Sequence, residues 1–207
     1  YGGTYTEHLF RGWGPMRDYV KALVQPLAAD PRILIWDLCN EPQAFALTAE
    51  VDKKEFEWLT TMADTVRACG IQQPLTVGTM YGTNIDVYAP LCDVLCAHPY
   101  AQDPAGLDKL IAGYQAQSRK WGKPLICNEC IPGAADDLVR AEVARFYTEK
   151  LAAAGFGWMG WALREGQAVS TRRDRCEGNG IEGVGYHPFF NRAGQLRAGL
   201  EFLRGSL

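Results

Sequence analysis

Two glutamates could act together on one bond, because each follows a short apolar run with the composition of a buried strand. Glu41 lies in the segment Trp-Asp-Leu-Cys-Asn-Glu-Pro at residues 36–42, and Glu129 ends the run at residues 124–129. Splitting a glycosidic bond needs one acid that protonates the departing oxygen and one carboxylate that attacks the anomeric carbon or activates water. The pair therefore indicates chemistry on an acetal.

The rest of the chain supplies elements that could hold such a pair. Apolar residues recur at helical spacing in segments 15–29, 50–69, 107–121 and 137–154, and short apolar runs at 32–38, 75–78, 94–97, 125–128 and 157–163 predict five strands. A closing helix is predicted over 195–204, after a long irregular stretch at 164–192 that is rich in glycine and charge. Short apolar strands separated by helices predict one α/β domain with a parallel sheet of βα units.

Polar and aromatic side chains gather at the ends of these predicted strands. Both glutamates occupy such ends, as do His98 and Tyr100 after the third strand, and Trp161 lies on the fifth. In parallel α/β folds the reactive groups lie on loops at the carboxyl ends of the strands. This placement favours a functional role for these residues over a purely structural one.

Composition excludes several classes of partner. The formal net charge of -3 argues against nucleic acid or an anionic membrane, and no apolar run is long enough to span a bilayer. Cys127 and Cys130 have CxxC spacing, but no second CxxC or histidine pair accompanies them, so we interpret them as buried thiols rather than a metal site. We predict neither a metal nor a cofactor.

With these residues in view, the chain resembles the retaining glycoside hydrolases of clan A, most closely the cellulase-like family 5, a (β/α)8 TIM barrel. The fourth strand of that family ends in Asn-Glu-Pro, which residues 40–42 match, and its sixth ends in His-x-Tyr, which residues 98–100 match. Its seventh strand ends in the nucleophilic glutamate, which falls on Glu129. Its eighth carries a tryptophan under the sugar ring, which falls on Trp161.

The resemblance implies a catalytic role for each glutamate. Glu41 would be the general acid and then the general base, and Glu129 the nucleophile that forms a glycosyl-enzyme, with the Tyr100 hydroxyl as its hydrogen-bond donor. Retention predicts carboxyl groups about 5 to 5.5 Å apart. The structural alternatives are a helix-capping or salt-bridged Glu41, and an ion pair of Glu129 with Arg164 or Lys123.

The resemblance also implies residues that bind substrate. Asn40 would hydrogen-bond the sugar 2-hydroxyl, and its alternative role is in a turn. His98 would position Tyr100 or contact the sugar, or would be a satisfied strand-end histidine. Trp161 offers a flat apolar face to a pyranose ring. The loop 165–188 could shape subsites or be a solvated excursion.

One departure from the family pattern concerns the start of the chain. In the family an arginine at the end of the second strand and a histidine near the third help to orient nucleophile and substrate. Only a loop and a helix are predicted before the strand that matches the fourth. We therefore expect residues 1–207 to form a single partial catalytic domain, the C-terminal part of a barrel with strands four to eight and their helices. Alone, such a piece would be marginally stable or inactive.

The predicted function is that of a retaining glycoside hydrolase acting on β-linked glucan, mannan or a related glycan. Its partner would be an oligo- or polysaccharide, and its location would be secreted or periplasmic if it follows the habit of the family. Two alternatives stay open at this point: a non-catalytic carbohydrate-binding relative, and a barrel enzyme with a two-carboxylate metal site, which would need further histidine or aspartate ligands.

Overall fold

The structure, a computed structural model, describes residues 9–43, 48–101, 103–134, 136–166 and 187–205. Within these ranges the strands are β1 (Trp36–Asn40), β2 (Leu75–Met80), β3 (Leu95–His98), β4 (Leu125–Cys130) and β5 (Gly157–Gly160). The α-helices are α1 (Gly14–Val24), α2 (Ala49–Arg67), α3 (Ile85–Tyr88), α4 (Pro104–Trp121) and α5 (Asp137–Ala153), and 3₁₀ turns cover Gln25–Leu27, Ala89–Leu91 and Glu201–Gly205.

The five strands form one sheet in chain order. β1 pairs in parallel with β2, and β4 pairs in parallel with β5. Strands and helices alternate, so the predicted α/β architecture is confirmed. By compactness the chain divides into a first unit, Tyr1–Ala97 with Tyr114–Leu125, and a second unit, His98–Gly113 with Ile126–Leu207.

In the first unit, α2 supplies the core face that covers β2. Thr48 begins this helix as its N-cap, because its hydroxyl accepts the N–H of Val51 at 3.2 Å. One face of the helix then packs in clusters with Leu75 and Val77 of β2. The buried residues of that face recur at helical spacing: Trp58, Leu59, Met62, Ala63 and Val66.

In the second unit, α5 holds the segment that follows β3. Asp136 caps the helix by accepting the N–H groups of Leu138 and Val139 at 2.8 and 3.0 Å. On the buried face, the Tyr147 hydroxyl accepts the N–H of Ala101 at 2.8 Å and donates to the carbonyl of Ala101 at 3.1 Å. Since Ala101 directly follows Tyr100, this pair of bonds fixes the backbone that carries a predicted site residue.

The prediction of a closing helix over 195–204 is wrong, because only the 3₁₀ turn at Glu201–Gly205 forms in that region. Gly199 adopts a φ of 80°, which is outside the helical range. A Cβ at this glycine would lie 2.7 Å from the Cβ of Ala141 on α5. The chain therefore follows an irregular path against α5 at a point where only glycine fits.

The remaining predictions about segments have mixed outcomes. Cys127 and Cys130 are both fully buried, which confirms the interpretation as buried thiols. Burial raises the pKa of the Cys127 thiol well above its ordinary value. Most of the predicted loop at 165–188 lies outside the described residues. No helix in the described ranges has the length and apolar character needed to cross a membrane.

Candidate active site

Glu129 lies near the carboxyl end of β4, with its side chain half-buried and held by a phenol. The Tyr100 hydroxyl donates to Oε1 of Glu129 at 2.9 Å, which is the hydrogen bond that the sequence predicted. A donor on a carboxylate favours the charged form and fixes the orientation of the group. The arrangement suits a carboxylate that must stay ionised and point in one direction.

The buried imidazole of His98 faces the other oxygen of the Glu129 carboxylate. Nδ1 of His98 is 3.9 Å from Oε2 of Glu129, and Nε2 of His98 lies 2.9 Å from Oδ1 of Asn128. An N–H at Nε2 donates to the amide oxygen of Asn128, and Nδ1 then carries a proton only when the ring is charged. His98 is completely buried, and in the second unit its hydrogen bond links the side chain of Asn128, which precedes Glu129, to the end of β3.

Trp161 directly follows β5, whose last residue is Gly160, so it lies just past the strand rather than on it. Its backbone N–H donates to the carbonyl of Cys130 at 3.1 Å. The residue is 37% exposed, which leaves area of the indole for an apolar ligand surface. Its carbonyl accepts from the guanidinium of Arg140 at 3.2 Å.

Arg140 connects two segments of the second unit through backbone carbonyls. The guanidinium on α5 is fully buried and donates to the carbonyl of His187 at 2.7 Å as well as to that of Trp161. It also lies over the ring of Phe189, 5.0 Å from the centroid. A buried cation needs such acceptors, because its desolvation is otherwise uncompensated. Arg140 thereby fixes the backbone of Trp161 relative to His187.

The His187 side chain in turn packs against Tyr100. The two rings meet edge to face with centroids 5.8 Å apart. Burial, together with the charge of Arg140, lowers the pKa of His187 to about 4, so the imidazole is neutral near pH 7. Tyr100 is therefore held between an uncharged ring and the carboxylate of Glu129.

In the first unit, Glu41 and Asn40 lie at the carboxyl end of β1. Asn40 is the last residue of the strand and is exposed, and Glu41 is half-buried. Glu41 has a φ of 50°, a left-handed conformation that is uncommon for a residue with a side chain. Its N–H donates to the carbonyl of Gly78 on β2 at 2.8 Å, which holds the backbone in this conformation.

The two cations considered as ion-pair partners of Glu129 have other acceptors. The ammonium group of Lys123 donates to the carbonyls of Ala89 and Cys92 at 2.8 and 2.7 Å. The guanidinium of Arg164 donates to the carbonyl of Arg192. These contacts weaken the structural alternative for Glu129.

Sequence reasoning missed three residues of this neighbourhood: Asn128, Arg140 and His187. Asn128 had a signal, since it precedes Glu129 as Asn40 precedes Glu41. Arg140 reads as a surface residue of an amphipathic helix, because nothing in the sequence indicates which carbonyls it would reach. His187 contacts a residue far away in the chain, so no local pattern could assign it.

Comparisons with known proteins agree on the kind of fold. Residues 7–167 match the family described as Cellulase (glycosyl hydrolase family 5). A search of curated proteins gives no significant match. Solved structures of TIM-barrel glycoside hydrolases are similar at low identity, and at that level the likeness speaks to the fold alone.

Three of these structures are a GH2 β-galacturonidase from Eisenbergiella tayi, a β-glucuronidase from an uncultured Clostridium sp., and a GH10 endo-β-1,4-xylanase from Gloeophyllum trabeum. The first is 15% identical with a TM-score of 0.69, and the match covers 92% of this chain and 35% of that one. The second is 20% identical with a TM-score of 0.66, and the match covers 92% of this chain and 35% of that one. The xylanase is 14% identical with a TM-score of 0.62, and the match covers 91% of this chain and 65% of that one. The chain thus spans about a third of the length of the first two structures.

Proposed function

The chain belongs to glycosyl hydrolase family 5, and on that premise we propose that it carries the two catalytic carboxyl groups of a retaining glycoside hydrolase. The substrate would be a β-linked glucan, mannan or related glycan, cleaved by double displacement. The hydrogen bond from Tyr100 to Glu129 is the single observation that carries this proposal most directly. It prepares one carboxylate for attack at an electrophilic carbon.

Glu129 acts as the nucleophile in this proposal. A carboxylate oxygen attacks the anomeric carbon, a covalent glycosyl-enzyme forms, and the bond to the departing oxygen breaks. The Tyr100 donor holds the carboxylate in one orientation before substrate arrives, and the buried hydrogen bond between His98 and Asn128 holds the residue before it. Groups fixed in advance avoid the free energy of reorganisation during the reaction.

Glu41 acts as the acid and then as the base. Its proton passes to the departing oxygen in the first step, and in the second step it takes a proton from the water that attacks the glycosyl-enzyme. Support comes from its place at the carboxyl end of β1, directly after Asn40, and from the match of residues 40–42 to the family pattern.

The sugar-binding residues follow the same premise. Asn40 is exposed and suited to hydrogen-bond the 2-hydroxyl, a contact that strengthens in the transition state. Trp161 provides a partly exposed aromatic face for the pyranose ring. His98 is buried, so we assign it to holding Asn128, the residue before Glu129, rather than to contact with the sugar. No step of this scheme calls on a cofactor.

Covalent trapping tests the proposal. The intact protein that carries this chain would be incubated with a panel of 2-fluoro glycosides bearing activated leaving groups, and the labelled peptide mapped by mass spectrometry. We expect an adduct on Glu129 that is absent in Glu129→Gln. A label on another carboxylate, or no adduct with any sugar of the panel while glycan binding is retained, would favour the non-catalytic binding relative.

A further inference from the structure

The strand that leads to Glu41 carries one residue more than its partner. Asp37 lies opposite Thr76 and Asn40 lies opposite Gly78, so two residues of β1 face a single residue of β2 between these positions. An extra residue of this kind is a β-bulge, which bends the strand and re-aims the side chains that follow. The bulge comes immediately before Asn40 and Glu41.

The carboxylate of Asp37 bridges this bulge. Its Oδ1 accepts the N–H of Cys39, inside the bulge, at 3.3 Å, and the N–H of Gly78, on the partner strand, at 3.2 Å. A side-chain oxygen thus takes the place of a backbone acceptor where the regular ladder is interrupted. Backbone N–H groups at such interruptions need a substitute acceptor.

Gly78 is bound on both of its backbone groups by the bulged segment. Its N–H donates to Asp37, and its carbonyl accepts from the N–H of Glu41 at 2.8 Å. The carboxylate of Asp37 and the backbone of Glu41 therefore both hydrogen-bond the same residue of β2. A shift of this residue relative to β1 would move Glu41 directly.

The register also decides which way Asn40 and Glu41 face. Because strand side chains alternate between faces, removal of one residue from the paired register turns every following side chain to the opposite face. The left-handed φ of Glu41 adds a second requirement, since such a conformation persists only when surrounding contacts hold it. The bulge is thus a geometric condition for the place of Glu41.

We propose that Asp37 is a positioning residue, whose carboxylate holds the β1 bulge and thereby sets the direction in which Glu41 delivers and receives its proton. This inference rests on the proposed acid and base role of Glu41. Asp37 itself touches backbone amides at the strand end, and the reaction does not consume or transfer any atom of it.

The position allows a clean pair of variants. Asp37 is exposed and lies outside the apolar core, so substitution leaves the packing of the unit in place. Asp37→Ala removes the acceptor, whereas Asp37→Asn keeps a side-chain oxygen at the same place without the charge. Asp64→Ala, which removes an exposed carboxylate from α2, is the matched control.

The test compares substrates that need an acid with substrates that do not. With the intact protein, Asp37→Ala should lower turnover of glycosides with poor leaving groups about 10- to 100-fold, the size expected of a catalytic group displaced by roughly an ångström. Turnover of dinitrophenyl glycosides should change less than threefold. Asp37→Asn should recover most of the lost rate, and Asp64→Ala should behave as the parent protein. Equal losses on both substrate classes, or an Asp37→Asn variant as impaired as Asp37→Ala, would overturn the inference.

Hydrogen exchange gives a readout that needs no activity. The amide of Gly78 should exchange faster in Asp37→Ala than in the parent protein and should regain protection in Asp37→Asn. Unchanged protection of this amide in Asp37→Ala would also overturn the inference. Failure of the parent protein to form the Glu129 adduct would instead count against the proposed function, and the exchange result would still decide whether Asp37 holds the bulge.

Discussion

The ends of β1 and β4 each position a glutamate, but they do so through different backbone geometry and different contacts. Both strands deliver an Asn-Glu pair, and both contain two residues opposite one on the neighbouring strand. In β1 the irregularity falls between Asp37 and Asn40, so the glutamate comes after it. In β4 it falls between Cys127 and Cys130, so the glutamate is part of it. Glu41 thus follows the bulge of its strand, whereas Glu129 lies within the bulge of its strand.

The contacts at the two ends also act on different atoms. At β4 the Tyr100 hydroxyl donates directly to the carboxylate of Glu129, while the backbone is tied down by the bond from Trp161 to the carbonyl of Cys130. At β1 the bonds through Asp37 and Gly78 act on the backbone that carries Glu41. A group that attacks carbon needs a fixed, ionised carboxylate, whereas a group that gives and takes a proton needs a fixed place and a carboxyl that can change state.

The largest expected effect is the loss of the carboxylate at β4. Glu129→Ala should reduce turnover by about 10⁴-fold or more for every leaving group, because no glycosyl-enzyme can form. Azide should restore cleavage of activated substrates by direct attack, and the product should be the α-glycosyl azide. Nuclear magnetic resonance of the azide product checks this stereochemistry. A β-azide would show that a nucleophile other than Glu129 remains, and the contrast between the two strand ends would fail.

The loss of the carboxyl group at β1 should give a different pattern. Glu41→Ala should slow cleavage of substrates with poor leaving groups by about 10²- to 10⁴-fold, the range of general acid catalysis, and should affect dinitrophenyl glycosides much less. Azide should rescue the variant in part by attacking the glycosyl-enzyme, with the β-glycosyl azide as product. Equal losses for all leaving groups, without rescue, would remove the acid and base role from Glu41.

These contrasts show how far the sequence alone could lead. The alternation of apolar runs and amphipathic segments predicted the sheet and its helices, since burial depends on local spacing. The hydrogen bond from Tyr100 to Glu129 followed from a family motif. The bulge at Asp37 did not, because the sequence records no register and an aspartate inside a strand resembles any polar residue on an exposed face.

The segment at 195–204 shows a different kind of error, because its helical spacing of apolar residues predicted a helix that does not form. Leucines at 196, 200 and 203 have helical spacing, yet Arg197 between them is buried and paired with Asp137 at 3.0 Å and Glu165 at 2.8 Å. These ion pairs and the close approach of Gly199 to α5 fix an irregular path. Both partners of Arg197 lie more than thirty residues away in the chain, where no sequence window reaches them.

A third prediction concerns His187, the buried ring behind Tyr100. Its folded pKa is about 4 and the ordinary value is 6.5, so between these pH values the unfolded chain binds a proton that the folded chain does not. The free energy of unfolding should therefore fall as pH falls through this window, by about 3 kcal/mol in total. Above pH 6.5 the contribution is complete.

Urea unfolding at pH 7.5 and pH 4.5 measures this dependence. Carboxylates titrate in the same range, so the parent protein is compared with His187→Gln, which lacks the imidazole. The stability difference between the two proteins should move in favour of His187→Gln by about 2 kcal/mol on going to pH 4.5. Identical pH slopes would mean that His187 is not the group responsible, and the Tyr100 ring would then be backed by a histidine free to ionise.

Tyr100→Phe should lower activity less than either glutamate variant, and it separates the two strand ends most sharply. The variant keeps the ring against His187 and removes only the donor to Oε1 of Glu129. A hydrogen bond to a charged acceptor contributes about 1.5–3 kcal/mol, which corresponds to a loss of about 10- to 150-fold in the rate of Glu129 labelling by a 2-fluoro dinitrophenyl glycoside. Tyr19→Phe, at an exposed position on α1, is the matched control and should label at the parent rate.

Asp37→Ala should also label at nearly the parent rate, since an activated leaving group departs without an acid. If Tyr100→Phe and Asp37→Ala slowed labelling to the same extent, the carboxylate at β4 and the backbone at β1 would not be supported by separate sets of contacts.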